Sequence, residues 1–147
     1  MTPEEAAREP FMTLIRELVR TYQAFESYAI PDIRRHGFNP AEFDVLMTLG
    51  NTPGMTLTEL GESTLLFKTT LTSVVDRLQR KGLVQRVPCE EDRRRTYARL
   101  TEKGEATFRE VFPAHIVHLK ERMGQIPVRE RNRLVKALRE VRSYLDG

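Results

Sequence analysis

Apolar side chains recur at three- and four-residue intervals over residues 8–34, at Phe11, Leu14, Ile15, Leu18, Tyr22, Phe25 and Ala29. That spacing predicts one long amphipathic helix, which Pro31 and then Gly37 are expected to end. Asn39-Pro40-Ala41-Glu42 reads as a helix start. Asn caps, Pro takes the first helical position with its φ preset, and Glu reaches back to the cap. This second helix runs through Phe43, Leu46, Met47 and Leu49 to Gly50, and Asn51-Thr52-Pro53-Gly54 is a turn. Thr56 with Glu59 forms another capping box, opening a short helix around Leu57, Leu60 and Gly61.

A further helix is expected from about Lys68 to Lys81, with Leu71, Val74, Val75 and Leu78 as its buried stripe. Gly82 supplies its C-terminal cap, and Arg80 and Lys81 complement the helix dipole in the last turn. The period then changes from helical to alternating. Residues 83–87 and 96–100 read as two strands, so Pro88 to Arg95 forms the tip of a long hairpin. Thr101 caps a last helical region with apolar residues at Phe108, Val111, Phe112, Ile116, Leu119 and Met123, in which Pro113 predicts a kink. Pro127 opens a final helix with Leu134, Leu138, Val141 and Leu145 spaced for a partner.

Two helices joined by a tight turn and followed by a hairpin describe a winged helix-turn-helix. The fold expected is therefore mainly α with a small β-wing. Residues 38–104 form the winged lobe, and residues 8–36 and 105–147 are dimerisation helices flanking it. A first helix of that length spans about 37 Å at 1.5 Å per residue, longer than a small domain covers. Its apolar stripe and that of the last helix need partners, and a symmetric homodimer supplies them.

The 147 residues carry 24 Lys+Arg against 21 Asp+Glu, with one Cys and no Trp. Their length fits one unit with a sizeable core, and 31% charged residues fit a soluble globular chain. One cysteine excludes an intrachain disulfide, the acidic start is unlike a signal peptide, and no apolar run suits a membrane span. A cytoplasmic protein without membrane contact is expected. The net charge of +3 is informative only once located. Residues 68–99 hold 9 Lys+Arg against 4 Asp+Glu, whereas outside residues 56–104 the count is 14 against 14. The positive excess belongs to the winged lobe.

Within that lobe, the polar face of the helix from Lys68 shows Lys68, Thr69, Thr70, Thr72, Ser73, Asp76, Arg77 and Arg80. Thr and Ser cost a helix roughly 0.5 kcal/mol each relative to Ala, so their concentration there calls for a reason. Short hydroxyls at a helix N-terminus suit phosphates and base edges in a major groove; simple solvation is the bland alternative. The hairpin tip presents Arg93, Arg94 and Arg95, suited to a narrow minor groove, with Asp92 beside them as an orienter. Double-stranded DNA is the expected partner. A protein-docking winged helix that leaves DNA alone is the alternative. The two differ in salt dependence, which phosphate contacts make steep.

These segments resemble the MarR family of bacterial transcription regulators over nearly the whole chain. Thr58-Glu59-Leu60-Gly61 is similar to the first helix of the family's motif, and residues 71–78, LTSVVDRL, to its recognition helix. Lys81-Gly82-Leu83-Val84 resembles the exit into the wing, and Asp92-Arg93-Arg94 with Leu100-Thr101-Glu102-Lys103-Gly104 the wing and the helix after it. Phe67 departs from the pattern, standing where the family has a small or polar cap. The resemblance implies a homodimer on a pseudo-palindromic operator, often a repressor, with Arg94 as the groove-inserting residue and Asp92 orienting it. It also implies an effector pocket, and a small aromatic or phenolic compound is the effector expected. Tyr22, Phe25 and Tyr28 line such a pocket or, on their spacing, belong to the core.

Cys89 reads as a redox switch or a bystander thiol, and its neighbours Glu90 and Glu91 favour the bystander. His115 and His118, three apart on a helix, suit a metal with His36 or a carboxylate, although such pairs more often lie at interfaces or in solvent. The sequence shows no nucleophile–base pair, phosphate loop or metal triad, so neither an enzyme nor a cofactor is expected.

Overall fold

A computed structural model of the protein describes residues 1–147 except Leu65 and Phe67, and except the side chains of Lys68 and Thr69. The cap position at Phe67 therefore lies outside the described residues. The chain divides into two compact units, residues 1–111 and 112–147.

In the first unit, a short helix α1 (Pro3–Ala7) precedes the long α2 (Met12–Arg35). Thr2 and Glu5 close a capping box that starts α1; this helix ends at Ala7, with Arg8 as its C-cap, and a new helix starts at Met12. Pro31 does not end α2, contrary to the sequence expectation. Proline removes one N–H from the ladder, yet the last turn holds because Ala29, Asp32 and Ile33 are buried. Asp32 also accepts from Arg35 Nη2 at 2.8 Å. The helix stops at Gly37, whose φ of +88° allows the chain to turn back. There the N–H of Phe38 donates to Ile33 O and that of Gly37 to Arg34 O, a Schellman closure.

α3 (Pro40–Leu49) starts where the capping box predicts. The Glu42 N–H donates to Asn39 Oδ1 at 2.8 Å, and the Asn39 N–H to Glu42 Oε1 at 3.4 Å. β1 (Met55–Thr56) leads into α4 (Leu57–Thr64), whose Thr56–Glu59 box has bonds of 2.9 and 3.1 Å. α5 (Lys68–Arg80) buries Leu71, Val74, Val75 and Leu78, the expected stripe. Its end repeats the Schellman closure, with Leu83 N–H on Leu78 O and Gly82 N–H on Gln79 O, both at 2.9 Å.

β2 (Val84–Pro88) and β3 (Thr96–Leu100) pair antiparallel, Val84 opposite Leu100 and Pro88 opposite Thr96. β1 joins the free side of β3, giving the order β1-β3-β2. β1 was not foreseen because two residues carry no readable alternation. The core of this unit is made by Val45, Leu46, Leu49, Leu60, Val74, Val75, Leu78, Val84 and Ala98, with Phe108 and Val111 from α6 (Glu102–Met123). Pro113 lies inside α6 without ending it.

The second unit holds the remainder of α6 and α7 (Val128–Asp146), which opens after Pro127 as expected. α7 buries no residue at all. His115 is buried, and its ring stacks on that of His118 with centroids 6.2 Å apart. Among the described residues no group of three or more His, Cys, Asp or Glu side chains suits a metal. Nor is any described helix long and apolar enough to cross a membrane.

Tyr22 and Phe25 are not core residues. They are 61% and 42% exposed, in line with Leu14, Ile15 and Val19 on the same helix and Phe11 at its cap. Tyr22 bonds Glu26, whose hydrogen bond and charge push the phenol up; Asp44 on α3 adds to the shift. Half-burial in turn pushes the Asp44 carboxyl above its ordinary range. A raised acid is a penalty present when the folded carboxylate must be charged and absent below its unfolded pKa. Asp44→Asn is therefore expected to raise the melting temperature near neutral pH. The gain should vanish near pH ~3, which melting curves at the two pH values will show.

Candidate nucleic-acid interface

α5 turns its stripe into the core, and this leaves Thr70, Thr72, Ser73, Asp76 and Arg80 exposed on the other side, with Arg77 half-buried. The Arg77 Nη1 lies 3.5 Å from Ser73 Oγ, and its Nε is buried without a hydrogen-bond partner. The sequence assignment of Lys68 and Thr69 to this face concerns side chains outside the described set.

The C-terminal end of α5 is anchored firmly. Lys81 donates to Glu42 Oε2 at 2.5 Å and lies 5.2 Å from the centre of the Phe38 ring. Glu42 is buried, so its charge is compensated inside the lobe by the lysine. The same glutamate closes the α3 capping box, which ties the start of one helix to the end of the other.

The wing tip is closed by short bonds. The Arg94 N–H donates to Asp92 Oδ1 at 3.0 Å, and the Arg95 N–H to Asp92 O at 2.9 Å. Cys89 N–H donates to Arg95 O at 3.1 Å and seals the loop at its base. The Asp92 carboxylate thus holds the backbone of Arg94, and its ion pair, at 3.9 Å, is with Arg95 Nε. Arg93, Arg94 and Arg95 are all exposed. Cys89 itself is buried; its sulfur, by its charge when ionised and by a hydrogen bond, pushes the Tyr97 phenol up.

Two wing residues were passed over in the sequence. Gln85 accepts from Arg99 Nε at 2.8 Å across the β2–β3 ladder once its amide is oriented to face the guanidinium. Arg86 leaves the wing altogether and reaches α5: Nη2 lies 2.7 Å from Asp76 Oδ1, and Nη1 donates to Gln79 Oε1 at 2.6 Å. In sequence the pair is marked only by an acidic residue on an otherwise basic helix face and a lone Arg in the first hairpin strand, and no spacing joins them.

A helix face of hydroxyls and cations and a strand-borne cationic tip, tied into one lobe, form a surface for a polyanion. Residues 36–95 match the sequence profile of the MarR family. The chain is 32% identical to the Bacillus subtilis transcriptional regulator MhqR over 133 residues, covering 90% of this chain and 92% of that one. This chain belongs to the MarR family. Its fold agrees with that of AbsC, a MarR-family transcriptional regulator from Streptomyces coelicolor. The TM-score is 0.84 at 25% identity, over 100% of this chain and 97% of AbsC. Bordetella bronchiseptica BpsR, whose DNA binding is regulated by 6-hydroxynicotinic acid, matches with a TM-score of 0.77 at 25% identity, over 88% of this chain and 96% of BpsR. The protein is thus a MarR-type winged-helix transcriptional regulator and not an enzyme.

Proposed function

We propose that this regulator binds a pseudo-palindromic duplex operator as a homodimer and acts as a repressor. Residues 38–104 are the DNA-binding lobe, and residues 8–36 and 105–147 build the dimer. The observation that carries this reading is the exposed face of α5 together with the exposed arginine tip of the wing, on one lobe in which β2 is tied to α5. In it, α5 enters the major groove with Lys68, Thr69, Thr70, Thr72, Ser73 and Arg77 facing phosphates and base edges. Arg93, Arg94 and Arg95 follow the flanking minor groove, where narrowing concentrates negative potential, and Asp92 fixes the loop that carries them. Repression is the sign favoured, because occupancy of the operator alone accomplishes it.

The dimer rests on surface that one copy leaves uncovered. Phe11 at the cap of α2 and Leu14, Ile15 and Val19 within it are 44–56% exposed, and α7 buries nothing. Exposed apolar stripes of that extent mark an interaction surface. An effector of aromatic or phenolic kind fits what regulates BpsR, a hydroxylated heteroaromatic acid.

The purified chain should select a duplex from a random pool and lose affinity steeply as salt rises. Arg94→Ala should weaken binding to that duplex several-fold and lower the salt slope by about 1. Fluorescence anisotropy across a salt series measures both. Unchanged affinity in Arg94→Ala removes Arg94 from the interface, and failure to select any duplex overturns the reading itself.

A further inference from the structure

The interface reading above is the basis for one step beyond it: we propose that Arg86 is a positioning residue for DNA binding, fixing the wing against the recognition helix through Asp76 and Gln79. The geometry is specific. Arg86 sits on β2, opposite Ala98 of β3. From there one guanidinium reaches two side chains of α5, with Nη2 2.7 Å from Asp76 Oδ1 and Nη1 2.6 Å from Gln79 Oε1. Nη2 also lies 3.5 Å from the backbone carbonyl of Thr72. These contacts span more than a turn of α5, so the fork fixes both the separation of strand and helix and their relative direction. A rigid planar fork does this better than an ammonium.

Two consequences follow. Asp76 lies half-exposed on the face proposed to meet phosphate, where an unpaired carboxylate repels the ligand. Arg86 neutralises it at hydrogen-bond distance. The wing tip, moreover, is closed on itself through Asp92 and Cys89, which ties its backbone to the ends of its two strands. Holding β2 to α5 therefore sets where Arg94 arrives when α5 is seated. Positioning of this kind places the two groove contacts at a fixed spacing before DNA is met, which lowers the ordering cost of binding. The side chain of Arg86 is only 25% exposed and both its terminal nitrogens are engaged, so its effect on DNA is exerted through these partners.

The test uses the full chain, the duplex it selects from a random pool, and affinities by fluorescence anisotropy. Arg86→Ala should weaken binding by roughly tenfold, the scale of losing a charge-assisted fork. Asp76→Ala should weaken it less, because Gln79 still holds Nη1, and the double variant should bind no worse than Arg86→Ala. Arg94→Ala, costly in the parent, should cost less than about twofold in the Arg86→Ala background, because the tip is no longer placed. Without DNA, Arg86→Ala should speed hydrogen exchange in β2 and β3 while α3 and α5 keep their protection. The proposal is overturned if Asp76→Ala tightens binding, if the Arg86 and Asp76 losses add, or if Arg94→Ala keeps its full effect without Arg86. If Arg86→Ala lowers protection throughout the lobe, its role is stability and the positioning role is again overturned. A parent chain that selects no duplex sinks the interface reading first and this proposal with it, a result distinct from all the others.

Discussion

Gly104→Ala is expected to cost the winged lobe about 3 kcal/mol or more, lowering its melting temperature by over ~10 °C. Gly104 lies in the first turn of α6, where a Cβ would sit 2.0 Å from the carbonyl oxygen of Leu83 and 3.2 Å from Leu100 Cβ. The close approach is enforced from both sides. The Thr101 N–H donates to that same carbonyl at 3.0 Å, and Thr101 Oγ1 donates to Gly82 O at 2.6 Å while accepting from the Gly104 N–H at 3.0 Å. Backbone blocks the methyl, so relief requires α6 to lift from the entry of β2. Two other glycines serve as controls. Gly82→Ala has room, its nearest neighbour being 3.9 Å away, but φ is +75°, so about 1 kcal/mol of backbone strain is expected. Gly61→Ala meets only Leu71 Cδ2 at 3.4 Å inside α4 and should be neutral or gain up to ~1 kcal/mol from helix propensity. Urea melts of the three variants measure the order. Equal losses at Gly104 and Gly82 would show that the lobe yields at the α6–β2 junction.

Much of this lobe was legible because local chemistry and burial agree there. Asn39-Pro40-Ala41-Glu42 and Thr56 with Glu59 announce their helices through caps that the structure makes as hydrogen bonds. The stripe Leu71, Val74, Val75 and Leu78 is buried as its spacing demands. Pro31 misled for a physical reason. Proline deletes one hydrogen bond, and packing of Ala29 and Ile33 around it outweighs that loss, so the stop signal that counts is Gly37. Tyr22 and Phe25 misled in the opposite direction: periodicity reports that a helix has an apolar side, not which molecule covers it. For the site, the cationic tip was visible as a run of arginines. The Arg86 fork was not, because it joins residues ten apart in sequence through a strand–helix crossing that no period encodes.

The same distinction between an apolar side and its covering governs α7. Leu138→Asp is expected to shift the sedimentation mass from about twice 17.1 kDa to 17.1 kDa at micromolar concentration. Leu134, Leu138 and Leu145 are 51%, 53% and 78% exposed, and with Val141 they form one stripe on a helix of 19 residues that buries nothing. In proteins most helical stability comes from packing of an amphipathic face, so this uncovered stripe calls for a partner. In a symmetric dimer the substituted carboxylate enters the interface twice, at roughly 3 kcal/mol each, a weakening of about 10⁴ in the dimer constant. Residues 1–111 keep their own core and should still unfold in one cooperative transition, at a temperature lowered only by the loss of cover on α2, which separates dissociation from unfolding. Duplex affinity should then fall by about 10²–10⁴, because each lobe must find its half-site without the effective concentration supplied by its twin. A substituted protein that keeps the doubled mass places the interface away from the Leu138 stripe. One that becomes a monomer yet holds DNA as tightly as before shows that a single lobe carries the affinity, against a two-half-site operator.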